Sequence, residues 1–423
     1  MNKLNSTFTK LTSGLKPLLA ASTLLAAPLA SSAEVEVLHW WTSGSEAKSM
    51  TVLKEILEKK GHTWKDFSVA GGGGSNATTV LKSRVISGNP PSAAQLKKMD
   101  LMEWGEMGVL SDLNKLATAN NWDKSLPSVV KDAVQQGGKY IAVPVNIHRV
   151  NWMWVNPSVF KKVGAKIPTT WAEFFTAAKK IQAAGIVPLA HGGQTWQDAT
   201  LFEVVVLGVG GGDFYRKAFV EADAKTLGSK KMVEILTTFR KIRSFMDKGA
   251  PGRDWNVATG MVINGKAAMQ IMGDWAKGEF LAANKVIGKD FACVAAPSTA
   301  GKYSYGIDSF ATFNGRKDKG VEDFAVSIMD ERFQKVFNKA KGSIPARSDV
   351  SIADFDDCAK SSRKEFQVAE GKKDLVPSMA HGMATPAAMG GEFVDIVSQF
   401  FNNPKITAEK TAAKLAKAAK YAH

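Results

Sequence analysis

The sequence predicts an α/β fold in two domains, and three observations carry that expectation. Strand, small-residue turn and helix succeed one another along the chain, the pattern of open sheets covered by helices. Two long extended stretches, Tyr140 to Asn156 and Tyr303 to Phe313, suit a crossing between domains. About 390 residues remain once an N-terminal leader is set aside, too many for one compact core.

The leader comes first. Lys3, Lys10 and Lys16 precede an apolar run from Pro17 to Leu29, and Ser31-Ser32-Ala33 supplies the small residues of a cleavage site. This is the pattern of a secretory signal peptide over 1–33, too short and too early for an anchor. The mature chain is expected to start at Glu34, to be exported, and not to insert into a membrane, since no later stretch is apolar for about eighteen residues. With 45% hydrophobic and 22% charged residues, the composition is that of an ordinary globular protein. The formal charge of +15 falls to +12 on removal of the three leader lysines. No Lys/Arg block is interleaved with aromatics, so a solvated basic surface is expected and nucleic acid is not. Cys293 and Cys358 fit no metal or redox spacing; in an oxidising compartment they are expected to form one disulfide, tying the strand near Phe291 to a later helical part.

In the mature chain, Glu34 to Leu38 alternates polar and apolar and reads as a strand. His39-Trp40-Trp41-Thr42-Ser43-Gly44-Ser45-Glu46 breaks the pattern, and a helix follows with Met50, Leu53, Ile56 and Leu57 on one face. In an open α/β sheet such a turn lies at the carboxyl edge, where ligands bind. Indoles offer flat apolar area, and a carboxylate offers only acceptors, a pairing that suits the C–H faces and hydroxyl rim of a pyranose. The plainer reading makes one Trp core and Glu46 a helix opener. Phe67 to Ala70 is a second strand, and Gly71 to Gly74 turns into a helix over 78–86 with Ser75 or Asn76 as cap. No Lys-Ser/Thr follows these glycines, so they are not a phosphate cradle. Ser92 to Leu96 is a short strand that brings Gln95, Lys97 and Lys98 to a sheet edge, with Asp100 capping the next helix.

Tyr140 to Asn156 carries Asn146 and His148 near the expected crossing. Thr170 caps a helix with Glu173 following, and a strand ending at His191 leads to the turn Gly192 to Gln197, which bears Trp196. Gly208 to Gly212 reads as a helix break, not a dinucleotide loop. Ser229 to Met246 is amphipathic and helical, Ala267 to Met272 is a strand ending on Gly273-Asp274-Trp275, and the second crossing carries Asp308. Glu322 to Asn338 is helical, followed by loops around Lys341 and His381 and two C-terminal helices. HExxH and GxSxG are absent, so neither metal nor serine-nucleophile catalysis is indicated.

Trp40-Trp41 with Glu46, Asn146-Ile-His148-Arg149, Met272-Gly-Asp-Trp275, Gly306-Ile-Asp308-Ser309, Lys341-Gly-Ser-Ile-Pro345 and Met379-Ala-His381-Gly382 together carry a resemblance. Over essentially its whole mature length the chain resembles the periplasmic sugar-binding subunits of ABC importers, and is most similar to glucose-binding proteins of Gram-negative bacteria. The resemblance implies a type II two-lobed binding protein, each lobe a central sheet flanked by helices, joined by crossing strands. The lobes would be 34–145 with about 306–345, and 146–305 with about 346–423. It further implies a non-enzymatic periplasmic monomer without cofactor or metal that holds a monosaccharide, D-glucose first, and presents it to membrane permease subunits. Trp41 and Trp275 would sandwich the ring, and Glu46, Lys97, Asp308, Lys341 and His381 would bond its hydroxyls. Trp40, Gln95, Asn146, His148, Trp196 and Gln197 are further candidates. Galactose, mannose or a di- or oligosaccharide are the alternative ligands. A secreted glycosidase is the remote one, since that chemistry needs a carboxyl pair across the scissile bond and no second acid motif accompanies Glu46 and Asp308.

Overall fold

The computed structural model describes residues 32–316 and 318–421. All of the expected signal peptide except Ser32 and Ala33 lies outside them. The chain folds as a two-lobed α/β protein of the type II binding-protein architecture. Each lobe is built on a helix-flanked sheet, and a third sheet is made where the strands cross.

Val35, Val37 and Leu38 are fully buried because Glu34–His39 lies inside the first sheet. The order there is Thr63–Ser68, Glu34–His39, Ala93–Leu96, Ser309–Thr312, Val143–Pro144. The first three strands run parallel, and the last two join antiparallel. Parallel strands require crossover helices, and Gly44–Lys59 and Ser75–Ile86 are those crossovers. The second sheet runs Ala292–Ala295, Trp152–Val155, Ala267–Ile271, Val187–Leu189. Along Trp152–Val155, Met153 and Val155 enter one apolar cluster while Trp152 and Trp154 enter another. A strand buried on both faces reads as a continuous apolar run, which is how Trp-Met-Trp-Val reads.

The crossing sheet runs Ile344–Pro345, Asn146–Arg149, Tyr303–Gly306, Leu375–Pro377. Tyr140 to Asn156 is therefore not one strand. Its parts Val143–Pro144, Asn146–Arg149 and Trp152–Val155 serve the first, crossing and second sheets in turn. The other crossing divides likewise into Tyr303–Gly306 and Ser309–Thr312.

Local chemistry decides the helix ends. Ser43 and Glu46 form a capping box on Gly44–Lys59, and Thr170 and Glu173 form one on Trp171–Ala183. Ser229 caps Lys230–Ile242 as expected. Ser75 and Asn76 do not cap the second helix. Gly74, in the left-handed region, is its N-cap, and both side chains donate back to carbonyls of the glycine loop, Ser75 to Gly72 and Asn76 to Ala70. Asp100 lies inside the first turn of Lys98–Glu106, whose N-cap is Lys97. The segment expected as one helix over 322–338 is two, Lys319–Ile328 and Glu331–Lys341, because Asp330 caps the second through the amides of Arg332 and Phe333. In Thr195–Phe219 the helical backbone breaks at Gly211, where φ is 79°. Cys293 and Cys358 are bonded, tying Ala292–Ala295 to the helix Asp357–Ala369. Among the described residues no helix is long and apolar enough to cross a membrane.

Candidate functional site

A cavity of about 230 Å³ opens where the carboxyl ends of the first-sheet strands meet the crossing. Trp40, Trp41, Glu46, Lys97, His148, Trp196, Trp275, Asp308, Lys341 and His381 line it, from segments far apart in sequence. Gln95 and Asn146 do not reach the wall; they stand behind Asp308 and bond it. Gln197 is also off the wall, bound to the Arg253 carbonyl at 3.0 Å.

The turn after Glu34–His39 supplies the first wall. Trp41 is buried against Phe310 and Phe337, so it is both core and lining. Trp40 is half-buried, with its amide donating to Gln95 Oε1. Glu46 likewise combines both readings of that turn. One carboxylate oxygen faces the Ser43 amide, and the other accepts from Lys341 Nζ at 2.7 Å. Lys341 ends its helix just before Gly342, whose left-handed backbone (φ 96°) turns the chain away. Its ammonium sits 5.5 Å from the Trp41 ring and 5.9 Å from that of Trp275, within cation–π range of both. Lys97 Nζ lies 5.7 Å from the Trp40 ring. Burial pushes its pKa down, and the charges of Asp100 and Asp308 act against that.

Asp308, between the two strands of its crossing, has three side-chain donors on its carboxylate. Gln95 donates to Oδ1 at 3.2 Å, Asn146 and His148 reach Oδ2 at 2.9 and 2.8 Å, and its amide donates back to Asn146. Burial would raise its pKa, but the charges of His148 and Lys341 and these hydrogen bonds hold it well below the usual carboxylate range. Burial would likewise lower the pKa of His148. Asp274 and Asp308 outweigh burial and hold it up at about 9, so His148 is an imidazolium at neutral pH.

The opposite wall is aromatic. Trp275 follows the strand Ala267–Ile271 and meets His148 and His381 edge-on at 5.1 and 5.0 Å. Trp196, in the first turn of Thr195–Phe219, donates to Gln194 Oε1 at 2.7 Å, and Gln194 donates to Asp254. Four residues on, Thr200 gives its hydroxyl hydrogen to the Trp196 carbonyl at 2.8 Å and meets His381 Nε2 at 3.2 Å. One turn later Glu203 accepts from Ser378, Tyr215 and the amides of Met379 and Ala380. Positions 196, 200 and 203 share one helix face, so one helix holds the whole His381 loop. Burial, together with the nearby charges of Lys97 and His148, pushes the pKa of His381 down to about 3, and it is neutral. The glycine loop bridges the walls. A Cβ on Gly73 would lie 2.9 Å from the Trp196 ring, and one on Gly74 3.0 Å from that of Trp40.

Sequence reasoning did not single out Gln194, Asp254, Trp255 or Asn256, nor Gly71 and Gly73 as lining. Gln194 lay within the turn flagged for Trp196. Nothing local marks Trp255, which reads as an ordinary helix start.

The site joins indole plates to fixed donors and acceptors, among them the ion pairs Glu46–Lys341 and Asp308–His148. Residues 43–328 match the family model described as bacterial extracellular solute-binding protein. A Rhizobium meliloti protein named a probable sugar-binding periplasmic protein is 46% identical over 398 residues, 93% of this chain and 96% of its own. A Brucella melitensis protein of the same name is 47% identical over 390 residues, 90% of this chain and 92% of its own. Among solved structures, the bacterial solute receptor AcbH, reported to prefer β-D-galactopyranose exclusively, superposes with a TM-score of 0.78 at 18% identity, covering 92% of this chain and 98% of that one. Maltose-bound MalE3 of T. maritima also gives 0.78, at 16% identity, over 92% of this chain and 100% of that one. At such identities these two likenesses speak for the fold alone.

Proposed function

The chain belongs to the bacterial extracellular solute-binding proteins, and on that premise we propose that it is the periplasmic sugar-binding subunit of an ABC importer, taking one monosaccharide, D-glucose first. The observation that carries this is the composition of the cavity: Trp40, Trp41, Trp196, Trp255 and Trp275 together with charged and polar groups that include two ion pairs, around a volume of about 230 Å³. That is below the roughly 300–1,000 Å³ of pockets for drug-sized ligands, which favours one pyranose over an oligosaccharide. Glu46 is paired with Lys341 and Asp308 with His148, so the site offers a neutral polyol matched partners, with Lys97 as a further donor on the wall. Each sugar hydroxyl both donates and accepts, and a wrong epimer would leave a buried group unpaired at about 1–3 kcal/mol.

The same chemistry argues against hydrolysis. A glycosidase needs a carboxyl group that stays protonated to act as acid, whereas Asp308 is held ionised and Glu46 is bound to an ammonium. We assign the lobes as 34–145 with about 306–345, and 146–305 with about 346–423. Ala359 and Phe366, packed in the first lobe's cluster, favour moving Asp357–Ala369 to that side. Closure of the lobes over the sugar would present it to the permease. Calorimetric titration of the mature protein with glucose, galactose, mannose and maltose, read alongside Trp fluorescence, tests the proposal. Saturable heat and a fluorescence change with a monosaccharide are expected. Heat with maltose alone would transfer the site to disaccharides, and silence with all four would end the proposal.

A further inference from the structure

His148 lines the cavity, yet it has nothing left to give a ligand. Its Nδ1 meets Asp274 Oδ1 and its Nε2 meets Asp308 Oδ2 at 2.8 Å, so both N–H groups of the imidazolium are committed to carboxylates. Asp274 is 2% exposed and does not line the cavity. Its second oxygen accepts from the Arg149 amide at 2.9 Å, and its own amide donates to the Arg149 carbonyl at 3.0 Å, so the carboxylate is clamped to the crossing strand that carries His148. Asp308, at the far end, does face the cavity. Three segments distant in sequence thus form one carboxylate–imidazolium–carboxylate chain, and of its two members on the cavity wall, His148 and Asp308, only Asp308 can still accept from a ligand.

We propose that Asp274 is a positioning residue for sugar recognition: it keeps His148 charged and oriented, so that Asp308 remains an ionised acceptor aimed into the cavity, and His148 itself bonds no sugar hydroxyl. The inference rests on the sugar-binding reading above. Other charges facing the chain are Lys341, with its partner Glu46, and Lys97, on the Asp308 side; His381 beside His148; and Arg149 next in sequence, whose guanidinium pairs with Glu365 at 2.8 Å. None of these replaces Asp274, because none accepts from His148 Nδ1. With Asp274 in place, His148 holds its proton to about pH 9, so recognition should not vary through neutrality. Without that carboxylate, one of two opposing charges is gone and burial acts with less resistance, so His148 should lose its proton near neutrality.

The test is a titration of the full mature chain with the hexose that the wild type binds, between pH 5.5 and 8.5, for wild type and Asp274→Asn. The wild-type Kd is expected to be flat. The variant should bind at least tenfold more weakly at pH 8 and recover most of that loss at pH 5.5, where His148 is charged again. A structural role alone would weaken binding equally at every pH, and that outcome, like a variant indistinguishable from wild type, overturns the proposal. Should Asp274→Asn not fold, His148→Gln takes its place. Its neutral amide is expected to bind at least tenfold more weakly with no recovery in acid, and wild-type affinity in that variant overturns the proposal equally. A wild type that binds no hexose refutes the sugar reading, not the chain of charges.

Discussion

The two walls of the cavity are built by different means. The wall of Glu46, Lys97, Asp308 and Lys341 is electrostatic, and its pairs join residues very far apart: 295 positions between Glu46 and Lys341, 213 between Gln95 and Asp308. The wall of Trp196, Trp255 and Trp275 is mainly aromatic, with Gln194, Asp254 and Asn256 among its indoles, and each indole sits beside the strand end or helix start that delivers it. Buried charges tolerate little error, because an unpaired one loses solvation without compensation. Indole plates act through area, and small displacements cost them less. The electrostatic wall should therefore dominate selectivity and the aromatic wall should supply general affinity.

Removing one member of each wall tests that contrast most strongly. Asp308→Ala strips the acceptor from Gln95, Asn146 and His148 at once and leaves a buried imidazolium short of a partner. A loss of up to about 5 kcal/mol is expected, read as absent calorimetric heat and a lowered Tm. Breaking the disulfide sharpens the comparison, because it joins the sheet behind the indole wall to the helix Asp357–Ala369. Its sequence separation of 65 implies roughly 4 kcal/mol of stability. Reduced protein should melt earlier yet bind normally while folded, and a changed Kd at room temperature would mean that the bond shapes the site. Trp275→Ala should weaken every accepted hexose alike by about 2 kcal/mol, near thirtyfold in Kd. A selective loss of one epimer would contradict the division of labour between the walls.

Smaller effects follow at the seam. Gly73→Ala puts a Cβ 2.9 Å from the Trp196 ring at a φ of 56°, so about 1–2 kcal/mol of strain should appear as weaker binding. Smallest of all is the pH dependence of stability near neutrality. His148 is raised from 6.5 to about 9 in the folded protein, so its contribution is complete below 6.5 and is lost as pH rises through 9. Asp308 is depressed, so its contribution is complete above its ordinary value of 3.8 and is lost in stronger acid. The part of the stability carried by these two groups should therefore be largest between about pH 4 and 6.5 and decline by about 1 kcal/mol over the next unit, read as a fall in melting temperature that His148→Gln lacks. His381, held down at about 3, runs the other way, its part complete above 6.5 and lost as pH falls.

Much of this was legible in the residues. Strand alternation, capping serines and threonines and the tryptophans at strand ends act over a few residues, and local chemistry announces them. The chain's own order of residues was enough for the α/β class, the two crossings and the cysteine pairing, while the resemblance to sugar-binding subunits supplied most of the groups around the cavity. Folding in three dimensions settled which of those groups face the cavity. Gln95 and Asn146 are as polar as Asp308, but tertiary pairing turned them behind it as its donors; Trp255 and Asp254 gained their places because Thr195–Phe219 brings Gln194 to them. Secondary structure answers to neighbours a few positions away, whereas the orientation of a buried charge answers to partners hundreds of positions distant, and no short window of sequence contains both.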